Sequence, residues 1–348
     1  MSKNKSLLFA IGAILVLGGI FSYSALDRKA PQKDDFSVSW MRTWATTGQI
    51  MTVLANTNIA SLHGSNATFP NFLFGPEMNE AARSGQVDAT NTGIVPTTNL
   101  LAVDDDWVVV ARLIYFNVSL VVPQNSGIKN IADLSGKSVG VPFGGGSHPY
   151  ILQRLGEDGI KVGDGKGEVS LVNLKPPEQA LALARGEVDA VATWEPQTAI
   201  SLDKAEGKVI DEDIHVGFIT VRKSLAEKYP NKVVALLKAY IDANLFVAQN
   251  PNMVDAWFVK KSQFDPVLLS RIKVIEPNIG ADAIKDVNIL ISDKDFARSQ
   301  KVADIMFENN LTPKRVDIKG RTDMSYLERA IKDLSSEGTR KGEIVILE

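Results

Sequence analysis

The chain has 348 residues, of which 45% are hydrophobic and 23% charged, a formal net charge of −3, and no cysteine. That length gives room for about two ordinary domains with a substantial core, and the mild acidity without a basic stripe excludes a nucleic-acid partner. The missing thiols exclude disulfides, cysteine-zinc and iron-sulfur sites, a thiol nucleophile, and lipid attachment through an N-terminal cysteine.

The chain opens with Lys3 and Lys5, an uncharged apolar run over residues 6–26, and then Asp27. A positive start followed by an apolar stretch is the grammar of a secretory signal. The run also approaches the ~20 residues that span a bilayer. Residues 1–26 therefore read as a signal peptide or, uncleaved, as a membrane anchor, and export follows from either. Residues 27–35, DRKAPQKDD, form a charged linker containing a proline.

FSVSWMRTW, residues 36–44, alternates and predicts a first strand. Residues 46–60 read as helical, and FPNFLFG leads into a second helix, GPEMNEAARSG. VDATNTG predicts a short strand and IVPTTNLLA another helix. The β-branched run over residues 107–123 suits a buried strand pair or a crossover between lobes. The pattern then begins again: strand SVGVPF, tight loop GGGSH, helix PYILQRLGEDG with Pro149 near its first turn, strand VSLVNL, helix PPEQALALARG and strand VDAVATW. HVGFITV predicts a further strand and residues 231–258 a strongly helical stretch. Helices and turns continue to about Lys332, and residues 333–348 form a tail with no assigned place.

The second pattern repeats the first. GPEMNEAARSGQVDAT and PPEQALALARGEVDAV share Pro-Glu, a helical run, Gly and Val-Asp-Ala, offset by 177 − 76 = 101 residues. Each unit is a helix closed by glycine (Gly85, Gly186) and feeding a strand that starts near an aspartate. Alternating strands and helices make the chain α/β with mainly parallel sheets, and ligands of such sheets bind beyond the carboxyl ends of the strands. Two lobes built alike would thus offer loops to one cleft.

GVPFGGGSHPY carries the clearest binding chemistry. A glycine turn between strand and helix aims backbone N–H groups at one point, and the helix N-terminus favours an anion; the competing reading is a tight turn whose glycines only supply positive φ. Trp44, Trp194, Phe72 and Phe74 are candidate apolar walls or core residues. Asp88 and Asp189, each within its own repeat, read as structural rather than as a catalytic pair. GKSVG matches a nucleophile pattern, but Ser138 enters a strand where that pattern needs a helix to follow. His63, His148 and His215 have no metal-ligand spacing, so no metal and no cofactor are expected.

FGPEMNEAARSGQVDATNTG, IKNIADLSGKSVGVPFGGGSH and VDAVATWEP, in that order, resemble the substrate-binding proteins of ABC importers in the nitrate, aliphatic sulfonate and taurine group, with its thiamine-precursor relatives. The resemblance covers roughly residues 36–332. It implies a two-lobed type II periplasmic-binding-protein fold, with residues 36–117 and 218–332 in one lobe, 118–217 in the other, and crossovers near Asn117 and Gly217. It implies a monomer in the periplasm that holds a small anion such as a sulfonate, taurine or nitrate and passes it to an inner-membrane permease, without catalysis. The implied ligand contacts are Trp44 in the loop 42–46; Gly75 and Pro76; Thr92 and Gly93; Gly145, Gly146, Ser147 and His148 in the anion loop; and Trp194 and Glu195. Ile94 and His148 stand where the group usually has Asp or Ser and a second hydroxyl. Those departures, with the aromatic FPNFLFGP, leave open a heteroaromatic ligand such as a pyrimidine or flavin precursor. A sensor without transport and an enzyme on the same fold are the remaining alternatives.

Overall fold

In the computed structural model residues 36–337 and 341–347 are described, and the expected signal or anchor segment and its linker lie outside them. In chain order the elements are β1 (Val38–Met41), α1 (Thr47–Asn56), α2 (Ile59–Leu62), β2 (Asn71–Phe72), α3 (Gly75–Arg83), β3 (Ala89–Gly93), α4 (Ile94–Val103) and β4 (Trp107–Pro123). There follow β5 (Ser138–Val141), α5 (Ser147–Glu157), β6 (Ser170–Asn173), α6 (Pro176–Ala184), β7 (Ala190–Trp194), α7 (Gln197–Lys204) and β8 (Gly207–Arg222). The remaining helices are α8 (Lys223–Lys228), α9 (Pro230–Gln249), α10 (Pro251–Ser262), α11 (Pro266–Leu269), α12 (Asp293–Glu308) and α13 (Ser325–Glu337). Among the described residues no helix is long and apolar enough to cross a membrane.

The strands form one sheet in the order β2-β1-β3-β8-β4-β7-β5-β6. Its outer pairs are parallel and its three central pairs, β3–β8, β8–β4 and β4–β7, antiparallel. This is the expected α/β sheet, parallel where helices cross between strands. The 101-residue repeat is exact at the level of register. Val38 faces Ala89 as Val139 faces Ala190, and α3 and α6 share their bounds at that offset, as do β3 and β7. Both helices begin with proline in the first turn, where its missing N–H has no partner to lose. They end before Gly85 and Gly186, whose φ of +76° and +70° lie in the left-handed region that L side chains rarely adopt.

The two repeat aspartates have the same structural use. An Asp88 carboxylate oxygen accepts the Ser37 N–H at 2.9 Å, and an Asp189 oxygen accepts the Ser138 N–H at 2.9 Å and the Ser138 hydroxyl at 3.0 Å. Each carboxylate thus fixes where the neighbouring parallel strand starts, satisfying a donor that the ladder leaves over.

β4 and β8 are long and pair along their whole length. β4 is the continuous strand that its unbroken β-branched run allows, buried at nearly every position. Its first half lies beside β8 where β8 also borders β3, from Gly217 to Val221; its second half, from Val118, borders β7. The residues just ahead of those hand-over points, Phe116 and His215, are directly paired. The one cation inside the first half, Arg112, is 2% exposed and meets Glu276 at 2.6 Å, with its guanidinium 4.1 Å from the Tyr115 ring centroid. The tail left unassigned by sequence docks by main-chain bonds: Asn58 N–H to the Val345 carbonyl at 3.1 Å and Leu347 N–H to the Asn56 carbonyl at 2.7 Å.

Candidate ligand site

The loop between β5 and α5 is shaped by its glycines. Gly144 has a φ of +75°. A Cβ on Gly145 would lie 2.9 Å from the Trp194 ring and 3.0 Å from the Pro142 carbonyl oxygen, so that position admits no side chain. The Gly145 N–H bonds to Pro142 and the His148 N–H to Gly145, whereas those of Gly146 and Ser147 have no partner among the described residues. Two unbonded donors at the start of an 11-residue helix, backed by its dipole, make a seat for negative charge.

Phe116 lies at the centre of the surroundings. Trp44 meets it edge-on at 5.0 Å between ring centroids and His215 at 5.8 Å. A Cβ on Gly93, at the end of β3, would come within 2.9 Å of the Phe116 ring, and one on Gly146 within 3.7 Å of it. Gly144 approaches Pro76, 3.6 Å from its would-be Cβ. Of the residues expected at a ligand, Trp44, Pro76, Gly93, Gly145, Gly146 and Trp194 therefore gather around Phe116 and the α5 N-terminus, drawn from both ends of the sheet.

The other expected residues make contacts of their own. The Ser147 hydroxyl donates to the Ala192 carbonyl at 2.7 Å, anchoring α5 to β7. His148 stacks on Phe143 at 4.5 Å with a 7° interplanar angle and borders a surface depression with Leu152 and Val162; burial lowers its pKa. The Thr92 hydroxyl pairs with that of Thr97 at 2.9 Å, and Gly75 opens α3 against Pro96. Glu195 accepts the Ala199 N–H at 3.2 Å and the Lys273 N–H at 3.4 Å. Burial pushes its carboxyl up to about 7, against the pull of those donors. Phe72 and Phe74 are partly buried against the core.

Two residues at the centre escaped the sequence reading. Phe116 sat inside a run with no feature to single it out. His215 is 2% exposed, its Nδ1 has no hydrogen-bond partner, and burial pushes its pKa down to about 4. Both lie within two residues of the crossovers expected near Asn117 and Gly217, the one signal in the sequence that pointed to this part of the chain. Among the described residues there is no group of three or more histidine, aspartate or glutamate side chains able to hold a metal. The arrangement sets backbone donors beside aromatic faces, groups that can take a charge and an apolar body respectively.

Residues 114–257 match the NMT1-like family. The chain is 28% identical over 270 residues to a putative aliphatic sulfonates-binding protein of Escherichia coli strain K12, covering 74% of this chain and 79% of that protein. It is 32% identical over 213 residues to the taurine-binding periplasmic protein of the same organism, covering 58% and 63%. The crystal structure of the periplasmic aliphatic sulphonate binding protein SsuA of Escherichia coli superimposes with a TM-score of 0.65 at 23% identity, over 83% of this chain and 92% of that one. The desulfurization enzyme DSZB shares the fold at a TM-score of 0.60 and 15% identity, over 86% and 99%. Residues 114–257 are thus similar to the NMT1-like family, and the chain has the α/β fold of these periplasmic binding proteins.

Proposed function

We propose that this chain is the solute-binding component of an ABC importer, exported to the periplasm, where it captures a small anion such as an aliphatic sulfonate, taurine or nitrate and delivers it to a permease. Residues 36–117 with 218–332 form one lobe and 118–217 the other, and closure over the ligand presents the surface that the permease reads. The observation that carries this reading is the pair of unbonded N–H groups at Gly146 and Ser147, facing aromatic side chains contributed by both ends of the sheet. The backbone donors take the charge; Trp44, Phe116 and Trp194 enclose the rest. The similarity to named binding proteins supports capture without reaction, and the site offers no pair of carboxylates placed as general acid and base.

A thermal-shift panel of nitrate, taurine, alkane and aryl sulfonates, pyrimidines and flavins tests it. A ligand at 100 times its Kd adds about 2.7 kcal/mol of stability, which raises the Tm by several degrees. A response to one sulfonate or related anion is expected. A response only to a heteroaromatic would favour the second reading, which the three-ring cluster of Trp44, Phe116 and His215 supports by offering aromatic surface to a ring.

A further inference from the structure

We propose that His215 is a ligand contact and specificity determinant, its Nδ1 donating a hydrogen bond to the anionic group held by the Gly146 and Ser147 N–H groups. This deepens the solute-binding reading and rests on it.

The geometry comes from the paired strands. His215 of β8 lies opposite Phe116 of β4, and directly opposed residues share a face of the sheet. The start of α5 packs on that face: a Cβ on Gly146 would lie 3.9 Å from His215 Nδ1 and 3.7 Å from both Phe116 and Val118. The nitrogen thus points at the helix end whose donors are free. It is buried and unpartnered, a position where an apolar ring would fill the space without losing hydration. The imidazole is explained when a third partner, the solute, reaches the same point.

The charge state follows from the surroundings. Phe116 and Val118 carry no charge; Asp213 of β8 favours the imidazolium, while Arg298 of α12 and Arg154 of α5 oppose it. Burial dominates and holds the ring neutral at pH 7, with a pKa of about 4. A neutral ring donates from Nδ1 in one of its tautomers. A bound oxyanion adds negative charge beside it and favours the protonated form. Binding therefore takes up protons, and affinity rises as the pH falls through the bound-state pKa, levelling off below about 4.

The test is calorimetric titration of the purified protein with ethanesulfonate, taurine and nitrate, at pH 5 to 8 and in two buffers of different ionisation enthalpy. For the wild type we expect binding of at least one anion, with proton uptake. His215→Phe keeps the ring volume and loses the nitrogen; it should fold with unchanged or higher Tm and lose tenfold or more in affinity. His215→Asn retains a donor without titration, and should keep most of the affinity while losing the pH dependence. Wild-type affinity in His215→Phe would overturn the role of His215 and leave the solute-binding reading standing. Silence of the wild type towards every anion, with a response to a pyrimidine or flavin, would instead remove the anion reading and this proposal with it.

Discussion

The two halves of the sheet are the same scaffold with their tips exchanged. At the 101-residue offset Trp44 corresponds to Gly145 and Gly93 to Trp194, so each half has one tryptophan and one glycine on its two loops, in opposite order. In the second half the pair touches within the half, Trp194 lying over Gly145; in the first, Trp44 and Gly93 both meet Phe116. The buried parts, strand register and aspartate clamps, coincide. The comparison separates what a βα unit needs in order to fold from what makes the two sides of the candidate site unequal: the glycine sits just before α5 in one half and at the end of β3 in the other.

Mutations on matched positions break or sharpen this comparison. The largest effect is expected from the tryptophans. Both are buried, so Trp44→Ala and Trp194→Ala should each cost about 3–5 kcal/mol in denaturant unfolding; equal losses would show that the exchanged rings bear equal weight in the core. Next comes Glu195, which occupies the position of Ile94. Its folded pKa of about 7 lies above the ordinary carboxyl value. The folded state therefore holds the extra proton, and this stabilisation, full below about pH 4.5, is lost as the pH rises to about 7, on the order of 3 kcal/mol. His215 acts oppositely: its depressed pKa removes stability as the pH falls from about 6.5 towards 4. Glu195→Gln should thus leave a stability that rises with pH across this window, and His215→Phe one that falls, both read from urea midpoints. A smaller contrast lies between the clamps. Asp88 is buried and Asp189 about 39% exposed in its side chain, so Asp88→Ala should cost about 2 kcal/mol and Asp189→Ala about 1. Smallest is Gly146→Ala, whose methyl meets only ordinary contact distances. Its Tm should stay within a degree or two while anion affinity falls, whereas Gly145→Ala has no room and loses both.

Sequence carried the repeated half of the fold well, because its signals are local: proline and glycine at the two ends of α3 and α6, and short strands of small and β-branched residues. It was weaker on β8, whose first half, GKVIDEDI, pairs with β4 yet stays partly exposed and charged. Without an apolar face that stretch has no periodicity to read, and only its buried end from His215 stood out. At the candidate site, the loops that bring Trp194 against Gly145 were legible, because each follows a short strand that the sequence marks. The bond of the Ser147 hydroxyl was not: a hydroxyl at a helix start can serve a carbonyl of the sheet, and only the fold brings Ala192 within reach. Phe116 and His215 act through long-range pairing, which local pattern does not encode.

β4 and β8 run as a two-stranded ribbon from one end of the sheet to the other, with ladder irregularities between Val109 and Ala111, Arg112 and Tyr115, and Leu120 and Val121. Such irregularities raise the local twist of a paired strand, and Phe116 and His215 are paired near the middle of these two strands. If His215 reads the solute as proposed, a substitution of either ring to suit a new solute also repacks the middle of the β4–β8 pair, so a change in selectivity there is also a change in the central sheet.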